Sequence, residues 1–401
     1  MTETAKNIIL LLSKNSASHP NVVALRYKQL GIWQQLTWAD VAHTVQHYSQ
    51  ALKNFGLKAK QKIVILTEPS LHLFAMIFTA KILDVQIHFL ESKNTNELNQ
   101  LIQLISPEYV FIDDLAQFDL CFPTIHPIQF FYLQDRRIDP IIDPQHHDLQ
   151  KILDRNQLTR SDLSTFAQDN SLVERQNLDF FFHKIEQHQH YQFEHSELAL
   201  IQEAEQLVEL HQLTHDEQTL ITPNLFSHEH IRYLFATWLV AGFSLNIPET
   251  SETYDQDQKV ISPTLVLGNS EIYEHLYRLA QQKLPPHNSW IYRIAPALKH
   301  WQSSASEQDA QENMISKIFD SLFKQSLLET LGWGNVRTAL NMGIANPHTT
   351  TVFFQRLGIH ISAWNSELFW QHHSTPSALF QATISNSHFE HIDVGDAHVS
   401  S

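Results

Sequence analysis

Glycine is scarce in this chain, with nine residues in 401 against an average of about 7%. None lies between Gly56 and Gly242. A loop that wraps phosphate needs close backbone approach and positive φ, both of which glycine supplies. That long interval is poorly equipped for such a loop. Cysteine is scarcer still. Cys121 stands alone, which excludes an intramolecular disulfide and a cysteine-built metal site and agrees with a reducing, cytoplasmic setting. Basic residues number 27 against 43 acidic ones, a formal net charge of -16. Such a surface repels a phosphate backbone or an anionic membrane, so nucleic acid and lipid surfaces are not expected partners. Long apolar runs are missing too. Ile8–Leu12 is too short for a signal segment, and Lys81 and Asp84 interrupt the stretch from Leu71 to Leu90, so no membrane span is expected.

What is present is a globular composition, 43% hydrophobic and 17% charged, on a chain long enough for two or three subdomains. Residues 37–56 form an amphipathic helix, with Thr37 as N-cap, Ala42, Val45, Tyr48 and Leu52 on one face, and Gly56 closing it. A buried strand over 62–66, a helix over 70–83, a strand over 85–90, a helix ending before Pro107 and a strand at "EYVFIDD" follow. That alternation predicts a parallel sheet with helices on its faces. Residues 134–196 break the rhythm and read as a peripheral insertion or junction. It returns with "TLITP", the helix "EHIRYLFATWLVAG", the strand "FSLNIP", a strand at "PTLVLG", a helix over 270–284 and a helical region to about 331. A strand at "NVRTALNMG", a helix over 347–357 and a strand at "GIHISAW" complete it, before a polar, histidine-rich tail from Gln371.

In order and spacing, several segments resemble the AMP-forming acyl-CoA synthetases, particularly the long-chain fatty-acid type. The opening from Asn15 to Leu66 resembles that family's N-terminal strand pair, helix and buried strand, and the likeness continues through Pro69–Asp114. Residues 213–250, 262–284 and 331–364 resemble later elements, the last carrying the adenine-binding turn. The resemblance implies an α/β fold of two mostly parallel sheet subdomains packed face to face with flanking helices. It divides the chain into 1–196, 197–370 and a remnant tail, 371–401, with the C-terminal lid domain expected to be absent. It also implies a two-step reaction in which a carboxylate attacks ATP and coenzyme A then displaces AMP. Backbone N–H groups, lysine and magnesium clamp the phosphates in such chemistry.

The expected clamps are altered in this sequence. The family's glycine- and hydroxyl-rich phosphate loop should follow the run at Glu197–Gln202, but "EAEQLVELHQ" comes at once. The stretch reads as a strand joined to a helix near Gln202. It also reads as one helix, because Leu200, Ala204, Leu207 and Val208 share a face. No Lys or Arg occurs from Ile185 through Ile231, while nine acidic residues do, so a triphosphate there meets repulsion. The adenine turn corresponds to Asn341, Met342, Gly343, Ile344, Ala345 and Asn346, with one glycine kept and Met342 in place of another. The ATP- and magnesium-binding motif corresponds to Asn365, Ser366, Glu367, Leu368 and Phe369, with Phe369 where the carboxylate belongs. Asn341, Met342, Gly343, Ile344, Ala345, Asn365, Ser366 and Glu367 are therefore the expected remnants of a nucleotide and acyl pocket. No catalytic residue or metal ligand is assigned.

The 26 histidines invite a metal reading through the pairs His146/His147, His188/His190 and His372/His373 and the HxH triplets at 188–190 and 228–230. These triplets read as loops or helix starts, and solvated or capping histidines are the expected outcome. Phe180, Phe181 and Phe182 fit a core junction better than an acyl pocket. Phe235 and Trp238 fit a core, and Glu203, Glu205 and Glu209 a solvated face. The resulting expectation is a catalytically degenerate synthetase-like protein that acts through a protein partner or a fatty-acyl ligand. The alternatives are a ligase using ATP, magnesium and coenzyme A with a lid acting in trans, and an acyl-binding module without nucleotide chemistry.

Overall fold

The computed structural model describes residues 7–92, 94–112, 128–133, 145–156, 179–186, 189–222, 227–284 and 314–364. Helix α1 (Ile8–Ser18) starts on Asn7, whose side chain caps Leu10 N. The hairpin β1 (Val23–Gln29) and β2 (Ile32–Thr37) leads into α2 (Trp38–Phe55). Thr37 and Asp40 close a capping box at its start, and Gly56 ends it in the left-handed region, as its sequence predicts.

The alternating pattern then folds as expected. Strand β3 (Lys62–Leu66), α3 (Leu71–Leu83), β4 (Gln86–Leu90), α4 (Thr95–Ile105), β5 (Tyr109–Ile112), β6 (Gln129–Tyr132), β7 (His146–Asp148) and α5 (Leu149–Arg155) follow in order. The segment expected to be a peripheral insertion contains a long hairpin, β8 (Asp179–Glu186) and β9 (Gln189–Ser196). Strand β8 pairs parallel with β4 and antiparallel with β9. The result is a seven-stranded sheet of order β7-β6-β5-β3-β4-β8-β9. Its hairpin is thus part of the framework. Phe180 and Phe182 point into the main core and are fully buried, each such ring contributing roughly 1.5–3 kcal/mol. The core reading holds for Phe180 and Phe182, while Phe181 is half-buried on the opposite face, stacked on His88.

Glu197–His211 is one continuous helix, α6, capped by Ser196. After β10 (Gln218–Leu220), a helical run passes from α7 (Ser227–Glu229) through a π-helical segment (His230–Phe235) into α8 (Ala236–Ala241). Gly242 ends it at φ 79°. Strand β11 (Ser244–Ile247), α9 (Tyr254–Ile261), β12 (Leu265–Asn269), α10 (Ser270–Lys283), α11 (Met314–Leu331), β13 (Thr338–Met342), α12 (His348–Arg356) and β14 (Ile361–Trp364) complete the described elements.

Two further sheets arise, β10-β11-β1-β2 and β12-β13-β14. They adjoin where Thr264 N donates to Gln218 O at 3.0 Å. Strand β1 pairs in parallel with β11, Leu25 opposite Leu245, so this sheet takes two strands from the start of the chain and two from beyond residue 197. The main core lies in the helical layer between these sheets and the seven-stranded one, drawing on α1, α2, α3, α6 and α8. Trp38 and Trp238 stack there at 4.7 Å, and Trp238 Nε1 donates to Ala24 O at 2.9 Å. Phe235 and Trp238 are fully buried, as their helical spacing predicts. Smaller cores form where α4 covers the outer face of the seven-stranded sheet and where α10, α11 and α12 cover that of β12-β13-β14. No described helix is long and apolar enough to cross a membrane.

Candidate functional site

Ligands of parallel α/β sheets bind beyond the carboxyl ends of the strands. Here the ends of β4 and β13 meet the start of the helical run at 227, and the end of β14 reaches Glu203 on α6. Strand β13 alternates, so Leu340 and Met342 enter the main core while Ala339 enters the core under α10–α12. Gly343 follows at φ +78°, and Asn341 Nδ2 closes the turn by donating to Ile344 O at 2.8 Å. Of the expected pocket residues, Asn341 and Met342 end β13, and Gly343 and Ile344 bend away from it. Met342 is fully buried rather than lining an opening, and the Ile344 side chain is 83% exposed. Asn365, Ser366 and Glu367, and Cys121, lie outside the described residues.

The groups that gather at this turn are charged. A Cβ on Gly343 would lie 3.4 Å from Glu229 Oε1, ordinary van der Waals contact, so that carboxylate stands beside the turn, and the positive φ is what favours glycine. Glu91, just beyond β4, accepts from His228 N at 3.1 Å and from His228 Nδ1 at 2.5 Å. Its carboxylate therefore occupies the N-terminal end of the helical run, a position that attracts anions because unpaired N–H groups point outward.

One turn deeper, Arg232 binds Glu203 through Nε and a terminal nitrogen. His195 Nε2 and Trp364 Nε1 reach the same carboxylate at 3.3 and 3.5 Å. Burial pushes the Glu203 carboxyl up, but the hydrogen bonds from His195 and Arg232 and the guanidinium charge outweigh it and hold it below the usual range. The Tyr233 hydroxyl is buried beside these charges without a hydrogen-bond partner, and burial raises its pKa. The π-helical segment aims Arg232 and Tyr233, and such local widenings recur at functional sites.

One sequence expectation is corrected, and a choice between two readings is decided. Glu203 does not share a solvated face with Glu205 and Glu209; it is 5% exposed and salt-bridged. A lone arginine in an apolar helix, at "EHIRYLFATWLVAG", was the available signal for a buried ion pair. Of the two readings of Glu197–Leu210, the single helix holds and the strand-to-helix junction does not, since Gln202 lies inside α6. The nearest parallel strand end is that of β8 at Glu186, and only Gln187 and His188 separate it from β9. Neither is glycine.

The histidine expectations divide. His228 and His230 do lie at a helix start. His190 belongs to β9 and is buried, because β9 has one face against the sheet interior. Among the described residues, no group of three His, Cys, Asp or Glu side chains has the geometry to hold a metal ion.

No family model matches this chain, and no curated protein does. Solved structures do. A protein described as a long-chain-fatty-acid CoA ligase from Rhodopseudomonas palustris aligns with TM-score 0.56 and 12% identity, over 88% of this chain and 73% of that one. The O-succinylbenzoate coenzyme A synthetase from Bacillus subtilis gives 0.57 and 11%, over 89% and 59%. An anthranilate CoA ligase in complex with anthranoyl-AMP gives 0.61 and 12%, over 91% and 60%. The chain thus has the fold of the N-terminal domain of adenylate-forming enzymes, and it spans about three fifths of the length of the last two.

Proposed function

We propose that this chain is a catalytically degenerate acyl-CoA-synthetase-like protein, using the synthetase fold for an interaction or regulatory role in fatty-acyl metabolism. The observation that carries this reading is the seat of the Glu91 carboxylate. It caps the helix at the strand ends, where an anionic ligand would otherwise find N–H donors. Glu229 stands beside the adjoining turn, and Arg232 is engaged by Glu203. Electrostatics at the crevice therefore disfavour a polyphosphate.

A fatty-acyl chain carries one charge rather than several, so a retained acyl site is compatible with this surface. The test is a thermal-shift series with ATP and magnesium, AMP, a non-hydrolysable acyl-adenylate and free fatty acids, alongside ATP–pyrophosphate exchange. The expected result is no shift with millimolar ATP and magnesium and no exchange, because stabilisation by a ligand follows its affinity for the native state. Measurable exchange, or acyl-CoA formation with or without a lid domain added in trans, overturns the reading.

A further inference from the structure

Three histidines stand in line on the sheet face beneath α4: His88 on β4, His183 on β8 and His190 on β9. They are 6%, 2% and 8% exposed. His88 Nδ1 lies 2.9 Å from His183 Nε2, and His183 Nδ1 lies 3.1 Å from His190 Nε2. Successive rings stack at 5.2 and 5.3 Å, and Phe181 stacks on His88 at 4.8 Å.

Each nitrogen–nitrogen contact needs one N–H and one bare nitrogen, so three neutral rings must all donate in the same direction. His88 Nε2 is buried without a partner. A bare nitrogen there costs less than an unpaired N–H, so the donors run from His88 towards His190.

Added protons conflict with this order. At either end of the chain, a second proton sets N–H against N–H or leaves an isolated charge under α4. At the central ring it keeps both contacts but forces an unpaired N–H onto His88. Burial accordingly lowers the pKa of His183 to about 2, helped by the neighbouring histidines and Lys62. It lowers that of His88 to about 3, with Lys62 contributing, and that of His190 as well.

The surrounding charges offer no rescue. Lys62 on β3 is cationic. Glu194 stands opposite Phe181 on β9, Glu97 on α4 is held by Ser92, and Glu91 by His228. Lys184 and Glu186 pair with each other. Among the described residues no carboxylate is hydrogen-bonded to any of the three rings.

The hairpin that carries His183 and His190 also supports the crevice. Glu91 N donates to His183 O at 2.8 Å, and the Phe182 ring meets His228 edge-on. At the far end of β9, His195 reaches Glu203 and Ser196 caps α6. We propose that the His88–His183–His190 chain is a pH-operated latch, holding the β8–β9 hairpin against β4 at neutral pH and releasing it, with the crevice contacts it carries, on acidification. The latch operates whatever the crevice binds.

The test is hydrogen–deuterium exchange of the intact chain at pH 7.5 and pH 5.0, corrected for the intrinsic pH dependence of exchange. With an open-state histidine pKa of about 6.5, opening of 179–196 gains about thirty-fold for each imidazole it exposes. Helix α10, away from the hairpin, is expected to gain far less, its rise limited to the global destabilisation that His72 contributes. The combined His88→Asn, His183→Gln, His190→Gln variant, whose amides keep hydrogen-bonding capacity but do not titrate, is expected to lose the rise. Equal hairpin exchange at both pH values overturns the proposal, as does a rise that survives in the variant or is matched in α10. Should the triple variant fail to fold, His190→Gln alone decides. A rise reduced by about thirty-fold supports the latch, and an undiminished one overturns it.

Discussion

Lys81 and Glu197 meet 2.6 Å apart in the interior, 116 residues apart in sequence and both essentially inaccessible to solvent. The other carboxylate oxygen accepts from Ile8 N at 2.8 Å, so one acid joins α1, α3 and the start of α6. Removing only one partner of such a pair strands a charge in low dielectric, at a cost of roughly 3–5 kcal/mol. Lys81→Met is therefore expected to cost about that much. Lys81→Met with Glu197→Gln is expected to recover most of it, because the amide still accepts from Ile8 and no charge remains buried. Urea denaturation of both single variants and the double variant checks this; additive losses would mean that the pair is not coupled.

Arg232 and Glu203 follow the same logic with a different consequence. Trp364 and His195 also reach Glu203, so losing the guanidinium loosens the joint between β14, β9 and the helical run. Arg232→Met is expected to destabilise the protein by roughly 3 kcal/mol or more. Glu203→Gln should cost less where Arg232 can move towards solvent, and the two losses should be strongly non-additive. Trp364 fluorescence offers a local readout, expected to change in both variants before global unfolding.

Acid sensitivity is expected from His72 independently of the histidine chain. Its Nδ1 is hydrogen-bonded to the Tyr48 hydroxyl between α3 and α2, and burial lowers its pKa to about 4. The unfolded chain takes up that proton near pH 6.5, the native one only near pH 4, so between these values the unfolded state holds more protons. Stability from this group is complete above about pH 6.5 and falls as pH drops towards 4, with a limiting slope of about 1.4 kcal/mol per pH unit. His72→Gln is expected to reduce the slope of unfolding free energy against pH by about that amount between pH 6 and pH 4.5. An unchanged slope would refute it.

Strands and helices with strong periodicity were legible. Strand β3 spans the predicted residues and α3, β4 and α10 differ by a residue at one end, because their patterns of burial coincide with local propensity. The β8–β9 hairpin was not. "DFFFHKIEQHQHYQFEH" has none of the glycine, asparagine or proline that marks a tight turn, and its histidines and glutamines conceal a face that the sheet buries. Strand pairing between residues far apart supplies that burial, and one-dimensional pattern cannot express it.

The candidate site was legible only in outline. The bend after Met342 falls within the stretch that the resemblance singled out, 341–346. Glu91 and the helical run that carries His228, Arg232 and Tyr233 come from two distant places in the chain and meet only after the sheets form. Glu203 was misread because its neighbours Glu205 and Glu209 share its acidity but not its burial. The distinction rests on α6 turning Glu203 towards the helical run that carries Arg232, a tertiary fact with no local signature.

Gly332 and Gly334 make a final contrast. Gly332 ends α11 at φ +71°, and a Cβ there would lie 2.8 Å from the Gln258 carbonyl and from Lys259 Cα. The contact is tight because Gln258 Nε2 donates to Leu331 O at 2.6 Å, drawing α9 against the end of α11. Gly332→Ala must therefore both strain its own φ and push backbone apart, and is expected to cost roughly 2–4 kcal/mol. A Cβ on Gly334 meets nothing within 4 Å, and its φ is outside the left-handed region. Gly334→Ala is expected to be neutral or to stabilise by up to about 1 kcal/mol through reduced freedom of the unfolded chain. Thermal denaturation of the two variants side by side separates these effects, and equal behaviour would show that α9 and α11 are not held this closely.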